Sequence, residues 1–168
     1  MNRTLAPSKA LFGNFSEMNS NANFQQFEES DLQAVVAVER RVMPFGWNLN
    51  TFRPCLYNDA YECWKLEKDE TLIGYCVLYF IGPTAQLLNL CVDVPHQRKG
   101  YGRDILHFAL ARCRAKGVQD LFLEVRSSNS VAQQLYHSLG FKKIGQRKDY
   151  YESTRGREHA EVYSLDLY

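Results

Sequence analysis

The sequence predicts an α/β fold, with one mixed sheet and helices on both faces. Three features carry that reading. Helical patterns come early, at about residues 30–57. A meander of strands follows. The rest of the chain then alternates strand, helix, strand, helix and a closing pair of strands.

Residues 1–22 hold Asn2, Asn14, Asn19 and Asn21 among Ser and Gly, with few apolar residues and no period. They read as a flexible tail ahead of a single domain over residues 23–168. Residues 23–28 suit a first strand. Ser30 is a candidate N-cap with Asp31 in the first turn, and Leu32, Val35, Val36 and Val42 recur at helical spacing to about Met43. Pro44 and Gly46 break that helix within an aromatic loop, Pro44-Phe45-Gly46-Trp47. A short helix from Asn50 towards Tyr57 contains Pro54. Strands are expected over residues 61–68, 71–80 and 85–94, with turns at Lys68-Asp69-Glu70 and Gly82-Pro83. Residues 100–116 are helical, with Tyr101, Ile105, Leu106, Ala109, Leu110 and Cys113 on one face and Gly117 just past the end. A strand over 118–126, a helix over 131–139 opened by Ser127-Ser128-Asn129, and strands over 141–151 and 160–167 complete the order.

Composition excludes several classes. The chain has 168 residues, enough for one domain with a real core, and balances 20 Lys and Arg against 19 Asp and Glu. A nucleic-acid binder would normally show a basic excess, so no direct nucleic-acid partner is expected. The longest apolar stretch, about residues 73–81, is far short of the ~18 residues of a membrane span. Arg3 and Lys9 are followed by no apolar run, so no secretory signal is expected. Cys55, Cys63, Cys76, Cys91 and Cys113 are odd in number and lack a Cys-x-x-Cys pair. The four histidines form no ligand-spaced cluster with them. Reduced, mostly buried thiols, a cytoplasmic location and no metal are the expectation.

The informative segment lies where a strand hands over to a helix: Gln97-Arg98-Lys99-Gly100-Tyr101-Gly102-Arg103. Glycines at 100 and 102 let the backbone approach an anion closely. N–H groups of the first helical turn point at that anion, and the helix dipole favours it. Arg98, Lys99 and Arg103 add positive charge, so the segment reads as a diphosphate cradle. It matches neither Gly-x-Gly-x-x-Gly nor a P-loop. A tight turn before a helix is the plainer reading of the glycines alone.

This stretch resembles the Gln/Arg-x-x-Gly-x-Gly/Ala signature of the GNAT superfamily of N-acetyltransferases. Residues 121–126 (Leu-Phe-Leu-Glu-Val-Arg), Asn129 and residues 135–141 (Leu-Tyr-His-Ser-Leu-Gly-Phe) are similar to the distal half of its RimI type, the bacterial ribosomal-protein-alanine N-acetyltransferases. Tyr150-Tyr151 and Gly156-Arg157-Glu158 resemble that type's C-terminal hairpin, and Glu39-Arg40 through Trp47 to Thr51-Phe52 its substrate-side loop. The likeness is dense over residues 88–160, thin over 24–60, and does not reach the first 22. Two positions depart from it. Glu152 stands where Pro usually follows the Tyr pair, and Gly46 where Pro or a polar residue often precedes the Trp.

The resemblance implies a GNAT-like central sheet, mixed but mostly antiparallel, and acetyl-CoA as cosubstrate. It implies that the backbone of Leu90, Cys91 and Val92 pairs with the pantetheine arm, that the turn of Arg98, Lys99, Gly100, Tyr101, Gly102 and Arg103 holds the diphosphate, and that Asn129 touches the cofactor. As a sequence feature Asn129 is also a helix cap. Strand alternation places Glu124 on one face with Phe122, where partial burial would raise its pKa. Alternation alone fits a solvated strand carboxylate better, and it is the resemblance that makes Glu124 the candidate general base, acting through a water. By the same resemblance Tyr136 is the candidate acid for the leaving thiolate, where the sequence alone reads as a helix tyrosine packed against the core. An acetyl-cysteine at Cys91 is disfavoured, because no His is positioned by sequence to activate it. Phe45, Trp47, Tyr150 and Tyr151 are the candidate acceptor contacts.

Amine chemistry favours an N-terminal acceptor. An α-amine with a pKa of about 7.7–8.0 is ~15% neutral at pH 7, whereas a lysine near ~10.4 is only ~0.04% neutral. The expected reaction is direct acetyl transfer to a protein α-amine, and the resemblance points to the N-terminal alanine of a small-subunit ribosomal protein. A lysine, a small-molecule amine and a non-catalytic acyl-CoA-binding module are the alternatives.

Overall fold

The computed structural model describes residues 22–168. The first 21 residues of the expected tail lie outside them. Residue 22 is already structured, since Ala22 pairs with Lys68. Seven strands form one sheet: β1 (Ala22–Gln26), β2 (Tyr61–Lys68), β3 (Thr71–Ile81), β4 (Thr84–Val92), β5 (Asp120–Arg126), β6 (Lys142–Ser153) and β7 (Gly156–Asp166), in the order β1-β2-β3-β4-β5-β7-β6. Every neighbouring pair is antiparallel except β4 with β5.

Helices α1 (Leu32–Val42) and α2 (Leu49–Leu56) cover one face, packing Val35, Val36 and Phe52 on Cys63, Tyr75, Val77 and Cys91. Helices α3 (Tyr101–Ala115) and α4 (Ser130–Ser138) cover the other, where Ile105, Leu106, Phe108 and Tyr136 join Cys76, Leu78, Leu123 and Tyr163. The strand alternation of Tyr75, Cys76, Val77 and Leu78 feeds the two cores in turn.

Local chemistry moves some boundaries. Ser30 is not the cap of α1. It lies inside a one-turn 3-10 helix, Glu29–Asp31, because Asp31 Oδ2 reaches back to accept from the Glu28 N–H at 2.8 Å. The strand expected over residues 85–94 is β4 and stops at Val92, because the Asp93 carboxylate accepts from Val94 N–H at 2.8 Å and opens another 3-10 turn. In α2, Pro54 is accommodated in a helix of only 8 residues.

Two irregularities shape the site. β4 pairs with β5 only from Thr84↔Asp120 to Leu87↔Leu123, and the strands part beyond that point. At the same place β4 carries a bulge, since Val77 pairs with Asn89 but Leu78 with Leu87, leaving Leu88 extra. The extra residue switches the pleat: Ala85 and Leu87 face the α3 core, as do Leu90 and Val92 after the bulge, whereas Leu88 and Cys91 face α1. The second irregularity is in β6. Arg147 pairs with Ala160 and Tyr151 with Glu158, so residues 148–150 bulge opposite His159 alone.

Candidate active site

The parted strands open a cleft with a cavity on each side. One, of about 260 Å³, runs from Asn129, Leu135 and Tyr136 to Glu124 and the Phe45–Trp47 loop. The other, of about 350 Å³, is floored by Gln86, Leu88 and Phe122 and walled by Trp47, Arg147 and Tyr150. Trp47, Leu87, Leu88, Glu124 and Tyr151 line both cavities. Glu124 thus stands where they meet.

Its carboxylate is largely buried, at 23% exposure, and ion-paired: Arg147 Nε lies 2.6 Å from Glu124 Oε1. The Tyr150 hydroxyl hydrogen-bonds the same carboxylate. Burial first, then that bond, raises the Tyr150 pKa. The pleat puts Glu124 beside Phe122 on the lining of the second cavity, as alternation suggested. Strand alternation gave no sign of Arg147, 23 positions further on, which reaches Glu124 over the intervening β7.

Tyr136 is 7% exposed and packs against Phe141 and Tyr163. Burial pushes its pKa up to about 12, so the hydroxyl is protonated at neutral pH, as an acid must be. Asn129 is the N-cap of α4, its Oδ1 accepting from Ala132 N–H at 3.0 Å, and it also lines the first cavity.

In the turn before α3, Gly100 has φ +89°, and a Cβ there would meet nothing within 4 Å. The turn therefore opens outward, in a backbone conformation that suits glycine. Gly102 is different: a Cβ there would make ordinary contact with Leu135 on α4 at 3.6 Å and with Val92 at 3.8 Å. Tyr101 turns its side chain into the core, 8% exposed, so only its backbone can face a ligand. The basic side chains are partly committed. Lys99 Nζ donates to the Pro95 carbonyl at 2.9 Å, and Arg103 Nη2 to Ser138 Oγ at 2.9 Å.

Cys91 lies on the α1 face and not among the residues lining the first cavity, although its neighbours Leu88, Asn89 and Leu90 do line it. Burial, with the Glu39 carboxylate next in weight, pushes its thiol up to about 12. A thiol so placed is a poor nucleophile. All five cysteines are free and buried.

The four aromatic candidates converge. Phe45 and Trp47 line the first cavity from the α1–α2 loop, and Trp47 packs on Phe52 at 5.1 Å. Tyr150 and Tyr151 meet edge to face at 5.0 Å. The Arg126 guanidinium stacks 4.5 Å over Tyr151 and also donates to the Glu152 carbonyl at 2.8 Å. That contact uses backbone, so a glutamate at 152 serves it as well as another residue would. Arg157 clips the β6 bulge, Nε to the Asp149 carbonyl at 2.7 Å and Nη2 to the Tyr150 carbonyl at 2.9 Å.

Apolar periodicity passed over Glu39. Leu32, Val35, Val36 and Glu39 share one stripe of α1, so a carboxylate sits where the helix turns to the core, 2% exposed. A charge on an apolar stripe was the available signal.

A split between the fourth and fifth strands, a bulge at the split and a glycine turn before α3 define the GNAT type of acetyltransferase. The chain belongs to that family: its acetyltransferase (GNAT) profile matches residues 24–141. Among relatives, the chain is 34% identical over 140 residues to the [ribosomal protein bS18]-alanine N-acetyltransferase of Escherichia coli K12, covering 83% of this chain and 94% of the relative. The crystal structure of the ribosomal-protein-S18-alanine N-acetyltransferase from Escherichia coli superposes with a TM-score of 0.82 and 33% identity over 87% of this chain and 94% of that one. Ard1 from Thermoplasma volcanium, at 18% identity and a TM-score of 0.79 over 88% and 99%, shares the fold. The protein is an N-acetyltransferase. Among the described residues no helix is long and apolar enough to cross a membrane.

Proposed function

We propose that this enzyme transfers acetyl from acetyl-CoA to the α-amine of a protein N-terminus, the N-terminal alanine of ribosomal protein bS18 being the acceptor its relatives suggest. The observation that carries the reading is the pair of cavities meeting at Glu124. One suits a thioester and the other an amine.

The cofactor side fits the residues present. The open turn at Gly100 and the N-terminus of α3 would hold the diphosphate. The edge of β4 beyond Leu87, left by β5, would take the pantetheine arm along Leu90, Cys91 and Val92. Bound acetyl-CoA supplies an activated acyl group. Glu124 accepts the proton that the amine sheds on attack, directly or through one water. Tyr136 donates a hydrogen bond to the departing sulfur. On the acceptor side, Phe45, Trp47, Tyr150 and Tyr151 form rigid walls whose hydroxyl and N–H groups can hold a peptide backbone. The buried thiols agree with a reducing, cytoplasmic setting. Residues 23–168 act as one catalytic domain in this reading.

The test is incubation with acetyl-CoA and a peptide panel, read by intact mass. A peptide starting with Ala is acetylated, blocking its α-amine abolishes the reaction, and an internal lysine on the blocked peptide is not used. Efficient transfer to that lysine refutes the N-terminal reading and leaves the family intact.

A further inference from the structure

We infer that Glu39 is a positioning residue for acceptor binding, its carboxylate anchoring the Phe45–Trp47 loop against the sheet. The inference rests on the acceptor reading of the cleft given above.

A carboxylate buried to 2% exposure is costly unless its oxygens are satisfied. Among the described residues no Lys or Arg pairs with Glu39. Three neutral donors do so instead, each from a different element. Trp47 N–H donates to Oε1 at 2.9 Å from the loop, and Asn89 Nδ2 to Oε1 at 3.2 Å from the β4 bulge. The Tyr75 hydroxyl donates to Oε2 from β3. One side chain therefore ties the acceptor loop to the strand at the point where it leaves β5. Both oxygens are engaged in this scaffold, so Glu39 lines the first cavity without being poised to take a proton from an amine.

Gly46 gives independent support. A Cβ on it would sit 2.5 Å from Glu39 Oε1 and 2.7 Å from Glu39 Cγ. The loop lies on the carboxylate by its backbone alone, which accounts for glycine where this family often has Pro or a polar residue. A side chain at 46 forces the loop and the Glu39 side chain apart and so breaks the contact between them.

The test uses the full chain with Glu39→Ala, Glu39→Gln and Gly46→Ala. Glutamine keeps Oε1 for Trp47 and Asn89, and its amide can donate to the Tyr75 oxygen. Hydrogen exchange at the Trp47 amide reports the anchor without needing activity. Exchange accelerates by about 10- to 100-fold in Glu39→Ala and Gly46→Ala and stays near wild type in Glu39→Gln. The KM for the acceptor rises by about 10-fold or more in the first two, while acetyl-CoA affinity changes by less than about 2-fold. Gly46→Ala, outside the core, keeps the question answerable if Glu39→Ala fails to fold. Unchanged Trp47 exchange in Gly46→Ala overturns the inference. So does a Glu39→Gln variant that loses kcat at constant KM, which would make the carboxylate a participant in the chemistry. If wild type ignores every N-terminal peptide, the acceptor reading fails, and the exchange result still decides the anchor.

Discussion

The Arg147 guanidinium holds Glu124 from β6, reaching across β7 to place Nε 2.6 Å from Oε1. The pair fixes the carboxylate at the junction of the two cavities, and Arg147, at 55% exposure, lines the second of them. A carboxylate held on one oxygen keeps its orientation.

Glu124→Gln preserves shape and removes the base. We expect kcat to fall by about 10²–10⁴ with acetyl-CoA affinity unchanged. The loss shrinks as pH rises from 6 to 9, because the acceptor amine then deprotonates unaided. Steady-state kinetics across that range check it. A variant as active as wild type throughout removes Glu124 from the role.

Gly100→Val is expected to abolish acetyl-CoA binding measured by calorimetry. The residue sits at φ +89°, a conformation that a β-branched side chain resists, and its Cβ would project into the open mouth of the turn. A folded variant with wild-type affinity would displace the diphosphate from this turn.

Tyr150→Ala should raise KM for an acceptor peptide more than for acetyl-CoA. Arg157→Ala should do the same to a lesser degree, because the Arg157 guanidinium donates to the carbonyls of Asp149 and Tyr150 and acts through the bulge they form. Equal rises in both KM values would mean that the hairpin serves the cofactor side as well.

Glu62 provides a pH-dependent measure of stability. Burial alone would raise its pKa, but Arg112, Lys116 and Trp64 all bond its carboxylate and hold it at about 2. A depressed pKa stabilises the fold above the unfolded value of ~4.3, and the contribution is lost as pH falls towards 2. Glu62→Gln should cost on the order of 2–3 kcal/mol at pH 7, with partly exposed Lys116 screened by water. Denaturation of both proteins should converge between pH 5 and 2. A stability gap that does not change over that range would contradict the assignment.

Much was legible in the sequence because local rules dominate it. Gly100 and Gly117 both take positive φ, at +89° and +71°, on either side of an apolar stripe that fixed α3. Asn129 caps α4 as its position implied. The 61–68 strand came out with the bounds that its pattern gave. Ser30 misled because Asp31 reaches back to the Glu28 N–H and Ser30 falls inside the 3-10 turn that this bond closes.

Other features had no local signature. The bulge at Leu88 depends on how β4 meets β3, and the parting of β4 from β5 on where each strand finds a partner. Arg147 with Glu124, Arg157 with Tyr150, and Glu39 with Trp47 are pairs of residues separated in the chain, brought together by sheet order and helix placement.

The sequence by itself determined the two-faced α/β architecture, through its periodicity and helix termini, and the family, through the resemblance carried by its motifs from the Gln97–Gly102 turn onward. Only the tertiary structure decided that Glu124 is ion-paired, that Cys91 is turned away from the cleft and that the buried Glu39 carboxylate accepts from the Trp47 N–H. Hydrogen bonds and charge pairs act over about 3 Å in space whatever the distance along the chain, so they exist only once packing has closed that distance.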